Sequence, residues 1–166
     1  MSKNATKAIE NRWCQERYKA SAYNGRLSSR EGAAEETGIE RTRLARIELG
    51  TLVPHPEEAL LMSDIYRAPE LKNFYCRECC PLGKDMPKVD NESLDRLTVR
   101  AMSSMGKISR AKDMLLEITE DGVVTEEERP ELERIIALLD ELTEVKENLK
   151  LWLEKNKEEG YGTRGD

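Results

Sequence analysis

Residues 29–50 restrict the fold more than any other stretch of the chain. Gly38 stands where a helix begun after Ser29 must end, because glycine enters the left-handed region without a Cβ penalty. Ahead of it, Ala33 and Ala34 are small enough to let a second helix approach. Behind it, Ile39 is an apolar plug, and Leu44 and Ile47, three apart, share one face of a further helix. Gly50 closes that helix. Ser29 is a good N-cap for the first. The pattern predicts two short helices, over 30–37 and 41–48, crossing closely about a tight turn.

The face of 41–48 opposite Leu44 and Ile47 carries Arg41, Arg43 and Arg46. A charged helix face is ordinarily solvated and laced with i,i+3 and i,i+4 ion pairs. Set beside a tight turn, the same face is free to enter a DNA major groove. That reading requires the three guanidinium groups to point outward, clear of carboxylates.

The wider register supports the second reading. Ser29, Glu31, Ala34, Gly38, Ile39, Leu44, Ile47, Glu48 and Gly50 fall on the run Thr/Ser-Gln-Glu-x-x-Ala-x-x-x-Gly-(Val/Ile)-x-x-x-x-(Ile/Leu)-x-x-(Ile/Leu/Tyr)-Glu-x-Gly. Pro54 and an apolar helix from Ala59 to Tyr66 follow. Residues 8–75 thus resemble the helix-turn-helix domain of the phage-repressor-like (Xre, lambda repressor-like) transcription regulators. The resemblance implies a bundle of about five helices that binds double-stranded DNA, with 41–48 in the major groove. It places Arg41, Thr42 and Arg46 against bases and Arg30 and Arg43 against phosphates; arginine suits both roles. It gives Ala34, Gly38, Ile39, Leu44, Ile47 and Glu48 structural roles, with Glu48 paired to a basic residue of the first helix, Arg17 or Lys19. Three features depart from the run. Arg30 replaces a glutamine, Glu40 stands where Ser or Thr would cap the second motif helix, and Gly32 and Thr37 weaken the first one.

The rest of this half reads as a helix over 8–22, one over 57–67 ending before Pro69, and a short one over 70–75. Its charge suits the reading better than the chain's −6 does. Residues 1–88 hold 15 Lys/Arg against 13 Asp/Glu, a balance of +2, whereas 89–166 hold 12 against 20, a balance of −8. The acid lies away from the motif, so the field there need not repel phosphate.

Beyond a linker over 81–91, Leu94, Leu97, Ala101, Ser104, Ile108, Ala111, Leu115 and Ile118 alternate three and four apart, the seam of a coiled coil. Asp121 and Gly122 end that helix. Thr125 and Glu128 form a capping box for the next. There Ile135, Leu138, Leu142, Val145, Leu149 and Trp152 make a second seam, and Leu132, Ile136, Leu139 and Leu153 broaden it. The expected architecture is all-α: a DNA-binding domain over 1–80, an antiparallel helical hairpin over 92–157, and a disordered tail over 158–166. The surplus apolar face predicts a homodimer through the hairpin, a four-helix bundle.

No apolar run approaches membrane-spanning length, and the first residues lack a signal-peptide core, so the reading is cytoplasmic, with reduced cysteines. Cys76, Cys79 and Cys80 supply one C-x-x-C, and Cys14 and His55 could complete a zinc set. Nothing in their spacing demands it, so no metal and no cofactor are expected. Residues 120–128 lack the acidic spacing of a calcium loop. No nucleophile, base and orienting group occur together, which argues against an enzyme. The competing function is a protein-interaction adaptor, or an antitoxin-like partner, with a degenerate helix-turn-helix.

Overall fold

The helix expected over 8–22 is interrupted after helical Ala8 and Ile9, and Asn11 caps the helix that resumes at Arg12. The Asn11 side-chain oxygen accepts the N–H of Trp13 at 2.9 Å, and its amide donates to the carbonyl of Ile47 at 3.2 Å. In the computed structural model, which describes residues 8–120 and 122–156 (the side chain of Arg110 excepted), helix α1 therefore spans Arg12–Ala20 rather than 8–22. An asparagine cap ends upstream helicity because its backbone leaves the helical region. The tail over 158–166, residue 157 of the expected hairpin, the first seven residues and Asp121 lie outside the described residues.

A 3₁₀ turn over Gly25–Ser28 leads to Ser29, whose hydroxyl accepts the N–H of Gly32 and caps α2, Arg30–Thr37. Gly38 ends α2 in the left-handed region with φ of 69°. Helix α3 follows over Arg41–Glu48, then α4 over Pro56–Ile65 and α5 over Glu70–Glu78. Helix α5 runs three residues past its expected end. Trp13, Leu27, Ala33, Ile39, Leu44, Ile47, Met62 and Leu71 form one buried core, with Phe74 edge-on to Trp13. Ala33 is fully buried and Ala34 only partly. Gly32, which weakens α2 as an isolated helix, has a packing reason. A Cβ there would lie 2.1 Å from the carbonyl oxygen of Arg26.

The chain divides into two compact units between Met86 and Pro87, inside the segment read as a linker. A 3₁₀ turn over Pro81–Gly83 folds onto the end of α5 in the first unit.

The second unit is two long helices, α6 over Leu94–Ile118 and α7 over Arg129–Lys155. They pack antiparallel. Arg100 meets Glu144 at 2.9 Å, while Lys107, further along α6, meets Glu141, earlier on α7, also at 2.9 Å. Leu97, Ser104, Ala111 and Ile118 are buried in the α6 seam. On α7 the buried residues are Ile135, Val145, Asn148 and Leu151, with Leu149 and Trp152 half-buried. The seam read from apolar spacing omitted Asn148. That side chain accepts the N–H of Asp90 at 2.8 Å and donates to the carbonyl of Glu144, tying the segment before α6 to α7.

Thr125 does not cap α7. Its N–H and hydroxyl both donate to Glu128, and the helix opens at Arg129, with Pro130 in its first turn, where a missing N–H costs nothing. Among the described residues every regular element is helical, and no helix is long and apolar enough to cross a membrane.

Candidate nucleic-acid interface

Helix α3 is held from below by a buried ion pair. Arg17 Nε donates to Glu48 Oε1 at 2.5 Å and Nη2 to Oε2 at 3.1 Å, while Nη1 donates to the carbonyl of Leu27 at 2.7 Å. Side-chain exposure is 1% for Arg17 and 0% for Glu48. Arg17, not Lys19, is therefore the partner of Glu48. Its guanidinium also lies 4.5 Å from the ring centre of Tyr18. Burial alone would lower the pKa of Arg17, but the hydrogen bond and charge of Glu48 outweigh it and hold it above the ordinary value.

Arg30 donates from Nε to the same Glu48 at 2.7 Å, so one carboxylate joins α1, the start of α2 and the end of α3. Beside this junction lies a cleft of about 540 Å³ lined by Tyr18, Ser28, Ser29, Arg30 and Arg41 among others.

The start of α3 is capped by Glu40 itself, in the position where the resembled run has Ser or Thr. The Glu40 carboxylate accepts the N–H of Thr42 at 2.9 Å and of Arg43 at 2.8 Å. Those backbone donors, Thr42 first, hold its pKa below the carboxylate norm. Glutamate reaches back over two positions because residue 40 is extended, so its longer side chain can fold onto the helix end.

The arginine face is only partly free, which corrects the expectation of three unobstructed guanidinium groups. Arg43 is gripped by Glu58 of α4, with Nη2 to Oε2 at 2.8 Å and a second bond from Nε to Oε1. That hydrogen bond raises the pKa of Arg43 and depresses that of Glu58. Arg41 meets Glu31 at 2.5 Å, with both side chains 60% exposed. Arg46 is exposed and, among the described residues, makes no ion pair or side-chain hydrogen bond. Thr42 is exposed one turn before it. The structure thus brings Thr42 and Arg46 to the outer face of α3, opposite buried Leu44, Ile47 and Glu48, leaves Arg41 exposed on the side of the cleft and Glu31, and turns Arg30 and Arg43 toward carboxylates.

Sequence reasoning missed Glu31 and Glu58 as arginine partners. They lie ten and fifteen residues from Arg41 and Arg43, on other helices, where no helical spacing points to them.

Cys14 is buried in the first unit, and Cys76, Cys79 and Cys80 are half-buried at the end of α5. Burial, with Glu48 nearby, pushes the Cys14 thiol up. Among the described residues no three His, Cys, Asp or Glu gather as metal ligands, so Cys14, His55, Cys76, Cys79 and Cys80 do not form one site. Compared with known proteins, the chain matches no family model, no curated protein and no solved structure.

Proposed function

We propose that the first unit is a sequence-specific, non-enzymatic DNA-binding module of the phage-repressor-like kind, and the protein a cytoplasmic transcription regulator. One observation carries the reading. A rigidly seated helix, fixed by Arg17 and Glu48 and capped by Glu40, presents an uncommitted Arg46 beside Thr42 on its outer face, with Arg41 exposed at its first turn. Such a helix, preceded by a glycine turn and a closely packed partner helix, has the dimensions that enter a major groove. Arg46 and Thr42 then face base edges. Arg41 exchanges Glu31 for DNA, because a pair so exposed is worth little in water. Arg43 and Arg30 act mainly through their own carboxylates.

The two long helices of the second unit form a dimerising hairpin in this reading. A dimer sets two recognition helices about one helical turn apart, or a multiple of it, on an inverted repeat. No cofactor is required.

One observation favours the adaptor reading instead. Arg30, Arg41 and Arg43 each already hold a carboxylate, which leaves the surface weakly basic. Selection of random duplexes by the full chain at two salt concentrations decides between them. Enrichment of one inverted repeat at both, with affinity falling as salt rises, supports the regulator. An unenriched pool at the lower salt supports the adaptor.

A further inference from the structure

Glu40 stands at the tip of the proposed recognition helix and, unlike the carboxylates around it, holds no cation. Glu31, Glu48 and Glu58 each bind an arginine. Among the described residues Glu40 is in no ion pair, and its side chain is exposed. The carboxylate lies across the open end of α3, with Oε1 on the N–H of Thr42 and Oε2 on the N–H of Arg43. It therefore adjoins Thr42, the outward residue of the first turn.

Bare N–H groups at a helix start ordinarily attract a phosphate. Here Glu40 occupies two of them, and its charge turns phosphate away. What this tip offers a ligand is a set of acceptors. Hydrogen bonds from the Thr42 backbone, then its side chain, hold the Glu40 pKa below its ordinary 4.5, so the group is ionised at neutral pH and has no proton to donate. A carboxylate has about four lone-pair sites, and the cap takes two. The others stay available on a side chain held still by two backbone bonds.

In a helix-turn-helix the first residues of the recognition helix meet base edges in the major groove. An acceptor-only group there can bond only an exocyclic amine, cytosine N4 or adenine N6, because guanine and thymine present acceptors. Cytosine is the better partner. Adenine sets its N7 acceptor beside the amine, which a carboxylate repels, whereas cytosine sets a C–H there. Arg46 lies about 9 Å further along the helix. That is more than two base-pair steps of about 3.4 Å, so the two side chains address different base pairs.

We infer that Glu40 is a specificity-determining residue, its carboxylate accepting the N4 amine of a cytosine at a base pair other than the one met by Arg46. The inference rests on the DNA reading proposed above and adds a contact to it.

Duplex selection with the full chain and two variants tests it. Glu40→Ser keeps a preferred N-cap and removes the carboxylate. Glu40→Gln keeps an acceptor for the cap and adds an amide N–H, the combination that suits adenine N6 and N7. The unaltered chain should select cytosine at one position. Glu40→Ser should lose the preference there alone, Glu40→Gln should exchange it for adenine, and Arg46→Ala should relax a different position. Replacing that cytosine by thymine in the selected duplex should weaken the unaltered chain about ten-fold and Glu40→Ser about two-fold or less. Both Glu40 variants should melt close to the unaltered chain, as expected if α3 keeps its seat. Cytosine retained in both variants, a loss spread over every position, or a glutamine variant that does not turn to adenine each overturns the inference and leaves the DNA reading in place. An unenriched pool from the unaltered chain overturns both.

Discussion

A buried guanidinium is tolerated only when its donors are met. Arg17 satisfies this through Glu48, the carbonyl of Leu27 and the ring of Tyr18. Removing one partner strands the other in a dry site, so Glu48→Gln should cost about 3–5 kcal/mol of stability, read from urea unfolding. A loss no larger than that of an exposed pair would mean that water reaches Arg17. Arg41 lies at the other extreme. Its pair with Glu31 is open to solvent and competes with phosphate for the same guanidinium. Glu31→Gln should therefore raise duplex affinity a few-fold with almost no change in melting temperature. Arg46→Ala should cost about 1–3 kcal/mol of binding and relax selection at one base pair. If Glu31→Gln weakens binding instead, Glu31 orients Arg41 rather than withholding it.

Among the elements, α2 and α3 show what a sequence reveals and what it conceals. Their bounds were legible, because Ser29, Gly38, Leu44 and Ile47 act within a turn or two of chain and leave a local signature. So was the α6 seam, where Leu97, Ser104, Ala111 and Ile118 recur at helical spacing. What stayed hidden depends on chain brought from elsewhere. Asn148 escaped because a search for apolar spacing passes over a polar residue, yet it is buried for its bonds to the segment before α6. Glu58 escaped because its partner Arg43 lies across a loop. In the candidate site, the outward face of α3 could be read from its own residues, while the carboxylates that occupy two of its arginines could not. Gly32 is the sharpest instance. Propensity alone says that alanine should strengthen α2 by about 1 kcal/mol. The Arg26 carbonyl, 2.1 Å from where a Cβ would stand, says the opposite. Backbone cannot yield as a side-chain tip does, so Gly32→Ala should lower the melting temperature. A rise would show that the turn over Gly25–Ser28 can move away from α2 at little cost.

Across the whole molecule two electrostatic effects act in opposite directions under acid. Glu31, Glu40 and Glu58 in the first unit and Glu141 and Glu147 in the second all have pKa values below their ordinary 4.5. Backbone donors act first on Glu31 and Glu40, and the basic partners Arg43, Lys107 and Lys146 on the others. A carboxylate held low in the folded state binds its proton first in the unfolded chain. Its contribution is complete above the ordinary value and disappears as pH falls through the lower folded values. Against this, residues 89–166 carry a balance of −8, and protonation relieves their mutual repulsion. At physiological salt, where charges more than about 8 Å apart are largely screened, the repulsion is muted and the close pairs persist. The melting temperature in such a buffer should stay level from pH 7 to about 4.5 and fall steadily below it. In very low salt the same titration should first flatten or rise before it falls, because the unscreened −8 is then relieved earlier than the pairs are lost. A rise on acidification that persists at physiological salt would mean that self-repulsion outweighs these carboxylate contacts, and that the ion pairs on α3 and along α6 and α7 contribute orientation without stability.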